Sequence, residues 1–388
     1  MKKEKPETQT EAPESFPLEL LSQPPGARLE YFEQRCFISH PRLLETLDAT
    51  IQAICPPGIG ASGRRPGTMV LVIGPSRVGK TTFIRLLEER LLERASAGMF
   101  SNPTFLPFAS ILAAGPESSR FEWVEYYRAV LRALGDPFVD GKVARIRTKE
   151  LRIAMETALI ERKPLAIIVD EAHHLAKAAR GSQLQSQLDH LKHFENETGV
   201  SHILVGTYEM RPFRTVNAQL ACRGVDIHFS RYDATKEEDA TTFQSVLWAL
   251  QRQLPVEKEP DLIKHWEFLY ARSIGCIGLL KMHLNRALNL ALTAQAKTVT
   301  LTHLRKTALS ETRVELALSN ALESEAELIE AEGADERLLK LLGMRGREEG
   351  VSPKTKAEEQ ARVSSNKTRP GTRAPGRDRT GQEEEAAG

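Results

Sequence analysis

The eight residues Gly74–Thr81 (GPSRVGKT) constrain this chain more than any other stretch. They fit GxxxxGK[ST], a pattern chance supplies about once in a hundred chains of this size. An apolar run, Thr68–Gly74 (TMVLVIG), leads straight into the loop, and a helical pattern over Thr82–Ala95 leaves it. Strand, loop and helix in that order make a phosphate cradle. Gly74 and Gly79 let the backbone curl so that its N–H groups converge on phosphate oxygens. The helix turns its positive end toward that charge. Lys80 is placed to reach the β- and γ-phosphates of a nucleotide, and the Thr81 hydroxyl to ligate Mg²⁺. Pro75, Ser76, Arg77 and Val78 complete the loop, and Thr82 follows it as a further candidate contact. The bland alternative is a glycine-bearing turn with a surface lysine.

A second apolar run, Leu165–Asp170 (LAIIVD), ends in an acid and is followed by Glu171. A carboxylate at the end of a buried strand is costly unless a cation or hydrogen bonds satisfy it. Asp170 can orient the Mg²⁺ shell, and Glu171 is placed to polarise an attacking water. Two solvated acids closing a strand are the alternative. Together the two motifs look like Walker A and Walker B of a P-loop ATPase that takes ATP and Mg²⁺.

Three further strand patterns complete a set of five: Thr104–Ser110, His202–Thr207 and Val225–Ser230, with helical patterns over Phe121–Leu134, Thr148–Ile160 and Gln183–Glu197. Buried strands separated by helices imply an α/β fold, a five-stranded mostly parallel sheet covered on both faces. From Thr235 the pattern is helical throughout: Thr235–Leu254, Asp261–Ser273, Ile277–Gln295 and Leu301–Leu318. The expected organisation is a loose leader over 1–27, a P-loop core over 28–232 that begins with a helix at Tyr31–Ile54, and an all-helical lid over 233–318. An acidic extension over 319–345, with little to pack on, and a disordered tail over 346–388 follow.

Of the 388 residues, 41% are hydrophobic and 27% charged, which supports a packed core. The net charge of +1 excludes a uniformly basic coat but not a local basic groove. No run approaches the roughly 20 apolar residues of a membrane span. Cys36, Cys55, Cys222 and Cys276 form no CxxC pair and read as reduced thiols of a cytoplasmic protein.

Asp170–His173 also spells the DEAH box of some helicases, but a two-core helicase needs a second strand-rich domain that the residues after Tyr232 do not supply. His173 with His174, and His190 with His193, invite a metal reading; ordinary helix positions explain them better without further ligands. Thr207 ends its strand beside the expected Walker B strand and is placed to hydrogen-bond the attacking water or the γ-phosphate. Arg223, just before the last strand, could reach a neighbour's nucleotide as an arginine finger; Arg214 is the rival, and a surface salt bridge is the alternative for both. Gly275–Lys281 (GCIGLLK) opens a lid helix and resembles the sensor-2 segment of AAA+ lids, which places Lys281 at the γ-phosphate in a position where arginine is commoner.

Tyr31-Phe32, FISHPR at 37–42, GPSRVGKTT, IIVDEAHHL, ILVGTYEM, QLACR and GCIGLLKMHLNRAL, in this order and spacing, resemble the TniB/TnsC family over roughly Tyr31 to Leu309. Its members are AAA+ ATPases that regulate DNA transposition in bacterial transposons. The resemblance implies an ATP-bound homo-oligomer, a ring or filament on double-stranded DNA. Such an assembly recruits a DDE transposase, is loaded by target-selection proteins (CRISPR-associated ones in some systems), and is remodelled by ATP hydrolysis. It also implies DNA contacts in the segment after the second strand, where Arg120, Lys142, Arg145, Arg147, Lys149 and Arg152 lie. Arg120 roughly matches one family contact position and Lys142 lies near another; a solvated helix face is the alternative.

Glu323–Glu332 and the tail could hook a partner or serve only as a solubilising end. Two other functions compete. A nucleotide-gated scaffold with negligible turnover has no use for Glu171. An initiator- or loader-like AAA+ machine usually carries a folded DNA-reading domain after the lid, and the residues beyond Leu318 lack the apolar content for one.

Overall fold

The computed structural model describes residues 15–55, 67–95, 104–115, 121–136, 147–177, 182–215 and 224–328, with 339, 341 and 342. Residues through Leu328 make one compact unit; Ile329–Gly388 are a second, of which only those last three residues are described. The expected tail, with Arg120, Lys142, Arg145, Cys222 and Arg223, lies outside the described residues.

The core alternates strands and helices. α1 (Pro25–Glu30) and α2 (Pro41–Ile54) precede β1 (Met69–Ile73) and α3 (Lys80–Arg94). Then come β2 (Phe108–Leu112), α4 (Trp123–Ala133), α5 (Thr148–Arg162) and β3 (Ala166–Asp170). α6 (His173–Lys177), α7 (Ser182–Thr198), β4 (Ser201–Gly206), α8 (Pro212–Thr215) and β5 (Val225–His228) complete it. All strand pairs are parallel, in the order β2-β3-β4-β1-β5. β1 is buried at every residue, as a central strand covered on both faces must be. Met69, Leu71 and Ile73 face α4, α5 and α7, whereas Val70 and Val72 face α2 and α3. The register aligns Ile73 with Gly206 and with His228, so the strands' carboxyl ends meet along one edge. Open α/β sheets bind ligands there, where the strand order changes direction.

The helical part holds α9 (Glu237–Arg252), α10 (Trp266–Ser273), α11 (Ile277–Thr293), α12 (Leu301–Thr307) and α13 (Glu311–Leu328). Its own core packs Phe243, Leu247 and Leu250 against Leu280, Leu284 and Leu288.

The elements depart from expectation in several places: β2 starts at Phe108 rather than Thr104, and the helix expected over Asp261–Ser273 begins at Trp266 after a 3₁₀ turn at Ile263–His265. The helix expected over Tyr31–Ile54 is broken: a wider-wound turn at Tyr31–Arg35 ends at Cys36 and α2 restarts at Pro41. His40, ahead of that proline, is extended at φ −138°, ψ 154°, because the proline ring disfavours a helical residue before it. Within the expected leader, Leu18–Ser22 is a short 3₁₀ turn; just past it, Arg28 donates from Nε to the Pro255 carbonyl at 2.7 Å, and Phe32 is fully buried in the lid core. The helix expected over Leu301–Leu318 is two helices, parted where Ala308 turns extended and Ser310 opens α13.

The acidic stretch also finds something to pack on. Ala321 joins the main core, Ser324 is buried, and Glu325 accepts from Arg231 Nε and Nη2 at 3.0 and 3.1 Å. Small and polar residues make this contact, so no apolar stripe announces it.

Candidate nucleotide site

The loop Gly74–Gly79 joins β1 to α3 at the carboxyl edge of the sheet. Its two glycines serve different needs. A Cβ on Gly74 would sit 2.3 Å from the Phe229 carbonyl oxygen, so the close passage of the chain after β5 demands a glycine there. Gly79 has φ +128°, a conformation L side chains avoid. Arg77 sits left-handed at φ 64°, and it and Ser76 are exposed. Pro75 and Val78 are buried, and Thr81 is exposed just inside α3 with Thr82 partly exposed beside it.

Lys80 is buried, at 8% exposure. Its Nζ donates to the Pro75 carbonyl at 2.8 Å and reaches that of Gly74 at 3.4 Å. Burial pushes its pKa down, and the carboxylates of Glu171 and Asp170 pull the other way. Asp170, at the end of β3, is pushed up by burial, while the Glu171 amide donates to its Oδ1 at 2.7 Å. Glu171 itself has φ 53°, a left-handed turn that takes the chain off the strand into α6.

Backbone bonds hold the strand ends together. Gly74 N–H donates to Gly206 O at 3.2 Å, Ala172 N–H to Val205 O at 2.9 Å and Phe229 N–H to Ile73 O at 2.8 Å. Thr207, one residue past β4, therefore stands beside both motifs; its hydroxyl points to Glu209 Oε2 at 3.5 Å.

The loop's glycine geometry, helix start and buried lysine fit a nucleotide phosphate chain. Among the described residues, no three His, Cys, Asp or Glu side chains gather to hold a metal unaided. A Mg²⁺ ion in such a site would need only one or two protein groups, and Thr81 and Asp170 are the residues that would hold it, with the phosphates supplying the rest.

Other candidates fall elsewhere. Lys281 donates to the carbonyls of Cys36 at 2.7 Å and Glu33 at 3.0 Å. These bonds hold the N-terminal segment to the lid helix. Arg214 Nε donates to Asp226 Oδ2 at 2.6 Å and lines a cleft of about 840 Å³ that includes no residue of the phosphate loop. Arg147 and Lys149 are exposed at the start of α5, and Arg152 Nε lies 3.5 Å from Glu156 Oε1. His190 pairs with the Tyr127 hydroxyl at 2.7 Å. His193 Nε2 lies 3.9 Å from Glu156 Oε1, and the rings of His173 and His174 are 4.4 Å apart. Cys36 and Cys276 are buried free thiols, pushed up by burial to about 11 and about 12.

Sequence reading missed the lid's grip on the loop. The Leu279 amide donates to the Arg77 carbonyl at 3.1 Å, and a Cβ on Gly278 would lie 2.3 Å from that same oxygen. Gly278 within GCIGLLK was the available signal.

Residues 64–213 match the family described as AAA domain. No curated protein matches the sequence. Among solved structures, the chain resembles the Aeropyrum pernix ORC2 protein in its ADPNP–ADP complexes, with TM-score 0.50, 15% identity, and 87% of this chain and 89% of that chain covered. Cdc6p from Pyrobaculum aerophilum gives TM-score 0.48 and 14% identity over 87% and 89% of the two chains. Drosophila ORC bound to DNA gives 0.47 and 13% over 94% and 88%. The chain thus has the AAA+ P-loop fold, a nucleotide-binding fold, with a helical C-terminal portion. No helix among the described residues is long and apolar enough to cross a membrane.

Proposed function

We propose that this chain is an ATP-hydrolysing AAA+ protein that assembles on double-stranded DNA and regulates transposition. One observation carries the ATPase part: Lys80, Thr81, Asp170, Glu171 and Thr207 come from three strand ends to one edge of the sheet. In this reading the loop amides and Lys80 take the phosphates, the ammonium leaving the Pro75 carbonyl for them. Thr81 and Asp170 would hold a Mg²⁺ ion, which would supply charge neutralisation to the phosphates. Glu171 polarises the attacking water, and Thr207 hydrogen-bonds that water or the γ-phosphate.

The assembly part rests on the motif resemblance. A finger in trans makes turnover depend on a neighbour. Arg223 and Arg214 are the candidates, and Arg214 would have to leave Asp226 to serve. Exposed Arg147 and Lys149, with Arg120, Lys142 and Arg145, would form the DNA-facing set, each phosphate contact adding to the salt dependence of binding. A DDE transposase and a target-selection protein are the expected partners.

Electron microscopy of the protein with linear duplex DNA tests this, with ATP, ADP, a non-hydrolysable analogue or no nucleotide, beside Lys80→Ala. Rings or filaments that need both DNA and an ATP-type nucleotide, and vanish in the variant, support the reading. Monomers under every condition overturn the assembly part.

A further inference from the structure

His173 has its side chain standing between the ends of β3 and β4. It is 7% exposed at the start of α6, and its amide nitrogen would lie 3.1 Å from a Cβ on Gly206. Its Nδ1 lies 3.0 Å from Glu171 Oε2, and its Nε2 lies 3.6 Å from Glu209 Oε2. Burial, with His174 beside it, holds the ring below its ordinary pKa, so it is neutral with one N–H to give.

One proton cannot serve two carboxylates. Glu209 already has Lys177 at 2.9 Å and the Thr207 hydroxyl at 3.5 Å. Nδ1 is buried and has no aligned hydrogen bond among the described residues, and Glu171 is the acceptor beside it. Close but poorly aligned pairs of this kind tighten once a substrate is bound.

We propose that His173 is a positioning residue: its Nδ1–H orients the Glu171 carboxylate toward the attacking water. The inference rests on Glu171 being the group that polarises the water. A ring that only filled space would leave turnover indifferent to which polar atom replaces it.

Asparagine puts an amide nitrogen near the place of Nδ1, glutamine near that of Nε2. The test is steady-state ATP turnover of full-length His173→Asn, His173→Gln and His173→Ala beside Glu171→Gln, with nucleotide affinity and melting temperature for each. His173→Asn is expected to keep kcat within about threefold of wild type. Gln and Ala are expected to lose about tenfold or more in kcat, with KM and nucleotide affinity within about twofold. Equal kcat in all three His173 variants, an Asn variant as slow as Ala, or losses that appear only in KM overturn the inference, and the Asn variant decides the matter if Ala fails to fold. Wild-type turnover in Glu171→Gln overturns the assignment of Glu171, and the inference falls with it. A dead Glu171→Gln beside wild-type turnover in His173→Ala overturns the inference alone.

Discussion

The Leu279 amide donates to the Arg77 carbonyl at 3.1 Å, so the lid holds the phosphate loop main chain to main chain. The approach depends on Gly278, whose added Cβ would meet the Arg77 carbonyl oxygen at 2.3 Å and its carbon at 3.0 Å. Backbone cannot swing aside as the end of a side chain does, so α11 must move.

Gly278→Ala is therefore expected to lift the start of α11 from the loop. Nucleotide affinity should fall about tenfold, equivalent to about 1.4 kcal/mol, while the lid core stays packed. Titration with a fluorescent ATP analogue, beside circular dichroism, checks both halves.

Lys80 separates binding from stability. Its ammonium is buried and bonded to neutral carbonyls at 2.8 and 3.4 Å, with the Glu171 and Asp170 carboxylates only partly offsetting its burial, a costly arrangement in the absence of phosphate. Lys80→Met should melt at the wild-type temperature or above it without nucleotide. The stabilisation that ATP gives the wild type, about 2.7 kcal/mol at a hundredfold excess over Kd, should vanish. Thermal melts with and without ATP read both.

Arg231 and Glu325 form a mostly buried pair, 8% and 15% exposed, that fastens α13 to the end of the sheet. The Tyr208 hydroxyl adds a third bond to Glu325 at 3.2 Å. Removing one partner of such a pair strands the other, so Glu325→Ala should cost about 3 kcal/mol in urea unfolding, and Arg231→Met with Glu325→Leu much less.

Acid should weaken the fold through His40. Burial, with Arg42 beside it, pushes its pKa down to about 4, and burial pushes His190 to about 4 as well. The unfolded value is about 6.5, so as pH falls from about 6.5 to about 4 the unfolded chain takes up protons that the folded one refuses. Stability is flat above that window and falls through it. His40→Asn keeps a polar partner for the Tyr232 hydroxyl, 2.9 Å from Nδ1 in the wild type. The variant should shrink the difference in unfolding free energy between pH 7 and pH 5 by about 2 kcal/mol.

What could be read in advance follows from range along the chain. The phosphate loop, both acids and the strands were legible because spacing and burial there are local: β1 and β3 are apolar throughout and each ends in its motif. The break before α2 also had a local mark, Pro41, which disfavours a helical His40, but the helix expected over Tyr31–Ile54 ran through it. Phe32 in the lid core, and Glu325 meeting Arg231 across 94 residues, carry no local mark. α13 reads as a polar helix because Ala321 and Ser324, both small, make its buried contact. Lys281 sat at the expected place in its motif, and only the fold shows that two carbonyls of the N-terminal segment take its ammonium.

The most direct test of an ATP-gated DNA protein is to follow duplex-DNA binding and ATP consumption in one sample, by anisotropy of labelled DNA and phosphate release, for wild type and Glu171→Gln. The account predicts that wild type binds DNA when ATP is added and lets go as the ATP is spent, while Glu171→Gln binds and stays bound. DNA binding indifferent to nucleotide, or equal release by both proteins, would contradict it.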